Sequence, residues 1–353
     1  MSKDIIGGEY KIDLEHANFT ATEEAMPLFA NGRMALRYIL KHAFPGRATR
    51  VLVPDHICGS VPDTIKAEGM EMDFYVIGED FLPEEDTLSA GIIKADAVLL
   101  VNYFGMLPKD VMGQFIRNIR KIKNDIIIIL DNVQNYAGLY DELGQDYTFT
   151  SYRKWFPVPD GACVIWRNGE TYQTLSPQSE EDRTIQPLFS KYKFAGNVLK
   201  NYRDIVGDEI CLKLLEKGEE ILESEEACRA LAWTERTMMK MEISGFLERR
   251  RKNAEMLHQG LEAMEIPHLY QEDATPLFVP VLLHKNRDKV RKVMFQQSVF
   301  CPIHWGEEWK KAHKEAGPNR LAEMELSLIC DQRYGEKEMQ RQLEILQNEC
   351  AYS

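Results

Sequence analysis

From about residue 31 the apolar positions switch repeatedly between two periods. GRMALRYILKHAF has apolar residues at helical spacing, and RVLVP is a short apolar run closed by proline. SVPDTIKAEG predicts a helix ended by Gly69, and MDFYVI a strand. DAVLLVNYFG predicts a buried strand running into a loop, PKDVMGQFIRNIRKIK an amphipathic helix, and DIIIILDN a strand with no polar face. A strand with no polar face must be covered on both sides. Continuous apolar strands separated by helices therefore predict an α/β fold with a mostly parallel sheet. YTFTS and CVIW add two strands around a proline-containing loop.

The pattern changes after about residue 185. A charged, helix-rich stretch runs to Leu261 and includes ISGFLERRRKNAEMLHQGLEAM. LFVPVLL, a helix from about Asp288 to Gln297, FCPIHW, MELSLICD and a final helix from Glu336 then alternate again, predicting a smaller α/β domain. These shifts divide the chain into a large domain with an N-terminal arm over 1–185, a helical connection over 186–260, and a small domain over 261–353.

Composition narrows the classes of function. The chain has 353 residues, enough for a large core and a second, smaller one. Its formal charge of −13 excludes a general nucleic-acid binder, which needs a basic surface, but leaves room for an anion in a locally positive pocket. No apolar run is long enough to span a bilayer, and the first residues lack the basic-then-apolar order of a secretory signal. The cysteines (58, 163, 211, 228, 301, 330 and 350) are odd in number and never spaced C-x-x-C. That argues against a disulfide framework or zinc site and places the protein in a reducing cytoplasm.

Four places carry candidate chemistry. Asn31-Gly32-Arg33 opens a helix, where unpaired N–H groups and the positive dipole end suit a phosphate; taken alone, an ordinary asparagine cap is the commoner reading of such a start. Asp131 ends a buried strand, where a carboxylate can hold a pyridine nitrogen protonated or simply start a turn, and Gln134 follows within reach of a ring oxygen. SYRKWFPVPDGA sets Ser151 and Lys154 on a loop after a strand. A desolvated lysine there can attack a carbonyl, although a solvated surface charge is the commoner fate of a lysine. His56 and Cys58 in VPDHICGS can lie against a planar cofactor, and His304 in CPIHW can contact substrate; satisfied core or turn histidines are the competing reading.

Taken together, the order and spacing resemble the sugar-nucleotide aminotransferases of the DegT/StrS type, members of the fold type I pyridoxal-phosphate superfamily. NGRMALRYIL is similar to that family's phosphate-binding helix start, LDNVQ to its D-x-x-[HQ] element, and TSYRKWFPVPDGA to its S-F-x-x-x-K segment. The resemblance implies a seven-stranded sheet and pyridoxal 5′-phosphate as cofactor. Lys154 would be the Schiff-base lysine, Asp131 the partner of the ring nitrogen, and Gln134 would lie on the ring's far side. Gly32, Arg33 and Ser151 would bind the phosphate.

It also implies a homodimer, an amino-acid donor such as glutamate, and a keto acceptor of the sugar-nucleotide kind. The chain departs from the family in several places. Ser151 and Lys154 are two residues closer than usual, and Pro159-Asp160-Gly161 replaces a glycine-rich end. Arg33 replaces a small hydroxyl residue, no stacking aromatic stands near His56 and Cys58, and the partner-crossing asparagine and arginine have no match in KFAGNVLKNYRDI. Two rival readings stay open: a dehydratase or racemase using the same cofactor, and a catalytically silent member with a regulatory role.

Overall fold

The computed structural model describes residues 5–14, 27–177, 187–222, 229–306 and 320–350. Its elements in the first half are β1 (Ile6–Gly7), α1 (Gly32–Ala43), β2 (Arg50–Pro54), α2 (Ser60–Ala67), β3 (Glu71–Tyr75), α3 (Glu85–Ile92), β4 (Ala97–Val101), α4 (Lys109–Ile122), β5 (Ile127–Asp131), β6 (Tyr147–Phe149), β7 (Val164–Asn168) and β8 (Thr171–Leu175). They continue with α5 (Leu188–Leu199), α6 (Asp208–Leu222), α7 (Ala232–Lys240), α8 (Ile243–Ala263), β9 (Val279–Leu282), α9 (Arg287–Gln296), β10 (Val299–Phe300), β11 (Glu325–Leu328) and α10 (Glu336–Cys350).

The α/β architecture expected from the sequence is present. Seven strands form one sheet in the order β3-β2-β4-β5-β6-β7-β8. β3, β2, β4 and β5 run parallel, and β6, β7 and β8 pair antiparallel. β4 is buried at every residue and β5 from Ile128 onward, as strands without a polar face require. Helix α4 buries Met112, Ile116 and Ile119, one stripe of an otherwise charged helix. Burying each such side chain is worth about 1.5–3 kcal/mol.

Two elements escape the periodicity reading. α3 buries only Leu88 and Ile92, and β8 alternates exposed and half-buried residues with Leu175 alone buried. Segments that bury so little carry a weak hydrophobic signal.

The chain folds into two compact units that interleave in sequence. One comprises Met1–Gly8, Ala43–Asp146 and Ile243–Ser353, and the other Glu9–His42 and Tyr147–Glu242. The first contains the parallel strands, an antiparallel pair of β9 and β11, and a short parallel pair of β1 and β10. FCPIHW is therefore strand only at its start, and His304-Trp305 lies beyond it. The second unit contains β6–β8 and helices α1 and α5–α7. Among the described residues no helix is long and apolar enough to cross a membrane. Cys58, Cys163, Cys211, Cys301, Cys330 and Cys350 are free thiols, and Cys228 lies outside the described residues.

Candidate active site

In the first unit, candidate residues collect just beyond the carboxyl ends of β2, β4 and β5, where ligands bind in open α/β sheets. Asp131 closes β5 and is buried; its Oδ1 accepts the Val133 N–H at 2.9 Å, so it does start a turn. Gln134 is 2% exposed, and its Oε1 accepts the Phe104 N–H at 2.9 Å. That bond fixes which way the amide points. Its Nε2 is buried and has no hydrogen-bond partner.

The bond from Phe104 supports an unusual turn after β4. Phe104 has φ 57° and Gly105 φ 73°, both left-handed, and the Phe104 carbonyl also accepts the Leu277 N–H at 2.9 Å. A non-glycine residue held there stores on the order of 1 kcal/mol or more, which such clamps offset.

His56 is fully buried after β2, packed with the rings of Phe81, Tyr103 and Trp305 at centroid distances of 5.9, 5.5 and 5.1 Å. The Tyr103 hydroxyl donates to the His56 carbonyl at 2.5 Å. Cys58 is half-buried, and its sulfur accepts from the Ser60 hydroxyl at 3.2 Å. Beside them, burial is the main cause that pushes the Asp55 carboxyl up to about 6, against the stabilising N–H groups of Ile77 and His56. Aromatic rings that the VPDHICGS segment itself lacks thus surround His56, from Phe81, Tyr103 and Trp305. YFG, directly after a buried strand, was the signal for one of them.

His304 is held from behind. Its Nδ1 lies 2.8 Å from the Ser327 Oγ, that hydroxyl donates to Glu325 Oε1 at 2.5 Å, and Glu325 Oε2 accepts the His304 N–H at 2.6 Å. Because the serine proton goes to the fully buried Glu325, the serine lone pair faces His304 and selects the tautomer with hydrogen on Nδ1. The His304 Nε2 takes no part in this support. Phe104 and Phe278 pack its ring at 5.4 and 5.1 Å. A pattern reading cannot find this support, because Glu325 and Ser327 sit on a different strand.

In the second unit, Asn31 is the cap of α1: its Oδ1 accepts the Met34 N–H at 3.0 Å. The capping reading and the phosphate reading are compatible. The cap serves Met34, while the N–H groups of Gly32 and Arg33 have no acceptor within their own helix. Ser151 is buried at the end of β6 and begins a short helical turn, Tyr152–Lys154. Lys154 is half-buried, followed by the fully buried Trp155 and Phe156.

This lysine loop is stitched to the start of α1. Gly161 donates to the Ala30 carbonyl at 2.8 Å, Ala162 and Phe29 exchange backbone bonds at 2.7 and 3.0 Å, and Tyr152 donates to Gly161 at 2.8 Å. Gly161 has φ +101°, and a Cβ there would meet Thr234 Cγ2 at 3.0 Å. Asp160 is fully buried; its Oδ2 accepts the Leu231 N–H at 2.8 Å and its Oδ1 the Thr234 hydroxyl. Burial pushes its carboxyl up to about 7 in spite of those donors.

Arg153 lies 3.5 Å from Glu219, which also pairs with the buried Lys193 at 2.5 Å. Lys193 further pairs with Glu9 at 2.6 Å, and Asn197 donates to Glu9 at 3.2 Å. Burial raises the Glu219 carboxyl, but Arg153, Lys193 and Arg33 outweigh it and leave it below its ordinary value. KFAGNVLKNYRDI thus supplies Lys193 and Asn197 to a charge cluster within this unit.

Solved structures share this fold. A sugar aminotransferase from Streptococcus pneumoniae, Spr1654 in its PMP form, is 14% identical over 97% of this chain and 91% of its own, with a TM-score of 0.61. A DegT DnrJ EryC1 StrS aminotransferase from Brucella abortus is 15% identical over 92% of this chain and 86% of its own, at 0.57. DesI, solved in the presence of its TDP-sugar product, is 14% identical over 91% of this chain and 80% of its own, at 0.62. No protein-family model matches the sequence, and no curated protein does. The likeness therefore lies in the fold, the one expected from the motifs.

Proposed function

We propose that the chain is a pyridoxal-phosphate-dependent aminotransferase that moves an amino group from an amino acid, glutamate by analogy, to a keto acceptor of the sugar-nucleotide kind. The observation that carries this reading is the stitching of the Lys154 loop to the start of α1 through Ala30 and Gly161. A cofactor with a phosphate at one end and an aldehyde at the other needs a phosphate site and a lysine in fixed relation. The residues present fit the group. Gln134 Nε2 is a buried donor awaiting an acceptor, as a ring oxygen would be, and the α1 start offers amides to a phosphate.

In this reading Gly32, Arg33 and Ser151 hold the phosphate, and His56 and Cys58 lie toward the ring. The Asp131 carboxylate holds a proton on the pyridine nitrogen. Once bound, the cofactor supplies an electron sink for the carbon that carries the amino group. Lys154 Nζ removes the proton from the donor's α-carbon and returns one to the other side of the transferred nitrogen. His304 presents Nε2 as a hydrogen-bond acceptor for a substrate hydroxyl. The assembly we propose is a cytoplasmic homodimer.

Borohydride reduction of the holoenzyme should fix the cofactor on Lys154, and peptide mapping should recover the added mass on SYRKWF. Glutamate alone should yield stoichiometric 2-oxoglutarate, which separates transamination from dehydration or racemisation. Label on another lysine, or normal turnover by Lys154→Ala, overturns the assignment. Absence of cofactor binding would instead favour a silent member of the fold.

A further inference from the structure

We infer that His258, Glu262 and His268 form a binding site for a zinc-class transition metal ion that fastens the end of α8 to the segment entering β9. All three belong to the first unit. His258 and Glu262 are four residues apart on α8 and so share one face. His268 follows the helix in a segment laddered to β9: Leu282 donates to Pro267 at 2.8 Å and Leu269 to Pro280 at 3.1 Å. One donor atom from each residue lies within 4.8 Å of the others.

The two imidazoles are already prepared as ligands. His268 Nδ1 lies 2.8 Å from the Ile266 carbonyl oxygen, which can only accept, so Nδ1 carries the hydrogen and Nε2 of the neutral ring is bare. A backbone carbonyl behind a histidine is the usual outer support of a metal-bound imidazole. The bare Nε2 lies 2.8 Å from His258 Nδ1. His258 is oriented by the Tyr270 ring, stacked at 3.8 Å and 5°. A metal ion between the rings takes both lone pairs, and the His258 hydrogen moves from Nδ1 to Nε2.

The fit asks for small movements. Zinc–nitrogen bonds of about 2.0–2.1 Å in a tetrahedron put ligand atoms about 3.3–3.4 Å apart, so the histidine pair opens by roughly half an ångström. Glu262 Oε1 stands 3.8 Å from His268 Nε2, and its side chain is 66% exposed and free to swing inward. Two imidazoles and one carboxylate suit zinc and the later first-row ions, not magnesium or calcium, which take oxygen ligands. Water completes the coordination.

The test is titration of chelator-treated, full-length protein with Zn²⁺ alone, followed by calorimetry and thermal melting. The wild type should take one equivalent at micromolar affinity and melt several degrees higher when saturated, whereas Mg²⁺ should do neither. His258→Gln keeps a donor toward His268 and should bind zinc at least tenfold more weakly and lose the thermal gain, as should His268→Gln. Glu262→Gln alters an exposed side chain, cannot plausibly unfold the chain, and should also weaken binding severalfold. Zinc affinity and thermal gain unchanged in Glu262→Gln and either histidine variant would place the metal elsewhere, for example on the free thiols, and sink the proposal. So would the absence of zinc binding, or an equal shift with Mg²⁺.

Discussion

Asp160 supports the lysine loop, and its burial makes a quantitative prediction about pH. The carboxyl is pushed from an ordinary 3.8 up to about 7, chiefly by burial. Between those two values the folded protein holds a proton that the unfolded chain has released, so stability must fall as pH rises. At 1.36 kcal/mol per pH unit, the full loss is about 4 kcal/mol, of which about 2–3 kcal/mol falls between pH 5 and 7.5. Asp160→Asn removes the titration and preserves the shape. An asparagine carbonyl can accept the Leu231 N–H, and its amide can donate to the Thr234 hydroxyl, which is able to reverse. Urea unfolding followed by tryptophan fluorescence at several pH values should show the variant gaining on the wild type by that amount across the window. Asp55 titrates in the same direction in both proteins and cancels in the difference. Parallel pH profiles for the two proteins would refute the reasoning.

Asp131→Asn should fold and retain cofactor yet lose turnover by on the order of a hundredfold or more, because an amide cannot hold the ring nitrogen protonated; steady-state kinetics with glutamate check this. Gln134→Leu removes the Oε1 acceptor of the strained Phe104 turn as well as the free Nε2. It should cost about 1–3 kcal/mol of stability and weaken cofactor affinity, read by urea unfolding and equilibrium dialysis. Arg33→Ala should weaken pyridoxal-phosphate affinity severalfold at low salt and less at high salt, since its charge at the helix start is screened; unchanged affinity assigns Arg33 to its neighbour Glu219.

The parallel core was legible because β4 and β5 offer water no polar face, and α4 shows its stripe at helical spacing. The interleaving of the units was not. Residues 9–42 join 147–242 through contacts such as Phe29 with Ala162, and Leu28 N–H with Glu235 at 3.0 Å, and no local pattern announces pairings across so many residues. The same holds for Glu325 and Ser327 behind His304, and for Ile266 behind His268.

Pro159-Asp160-Gly161 stands where the family that this chain resembles usually has a glycine-rich end. In the structure Gly161 keeps the one left-handed position the loop needs, next to Tyr152 and Thr234, where a Cβ has no room. Asp160, a residue a solvent-exposed loop would tolerate anywhere, is fully buried and bonded to Leu231 and Thr234 at the start of α7. These bonds give the loop a fixed attachment to the segment entering α7. A shorter span between Ser151 and Lys154 needs such an anchor, because fewer residues leave fewer ways to correct the lysine's position. Under the function proposed above, the departures at 151–154 and 159–161 would be one change: a tighter loop with its own buried support at Asp160 and Gly161.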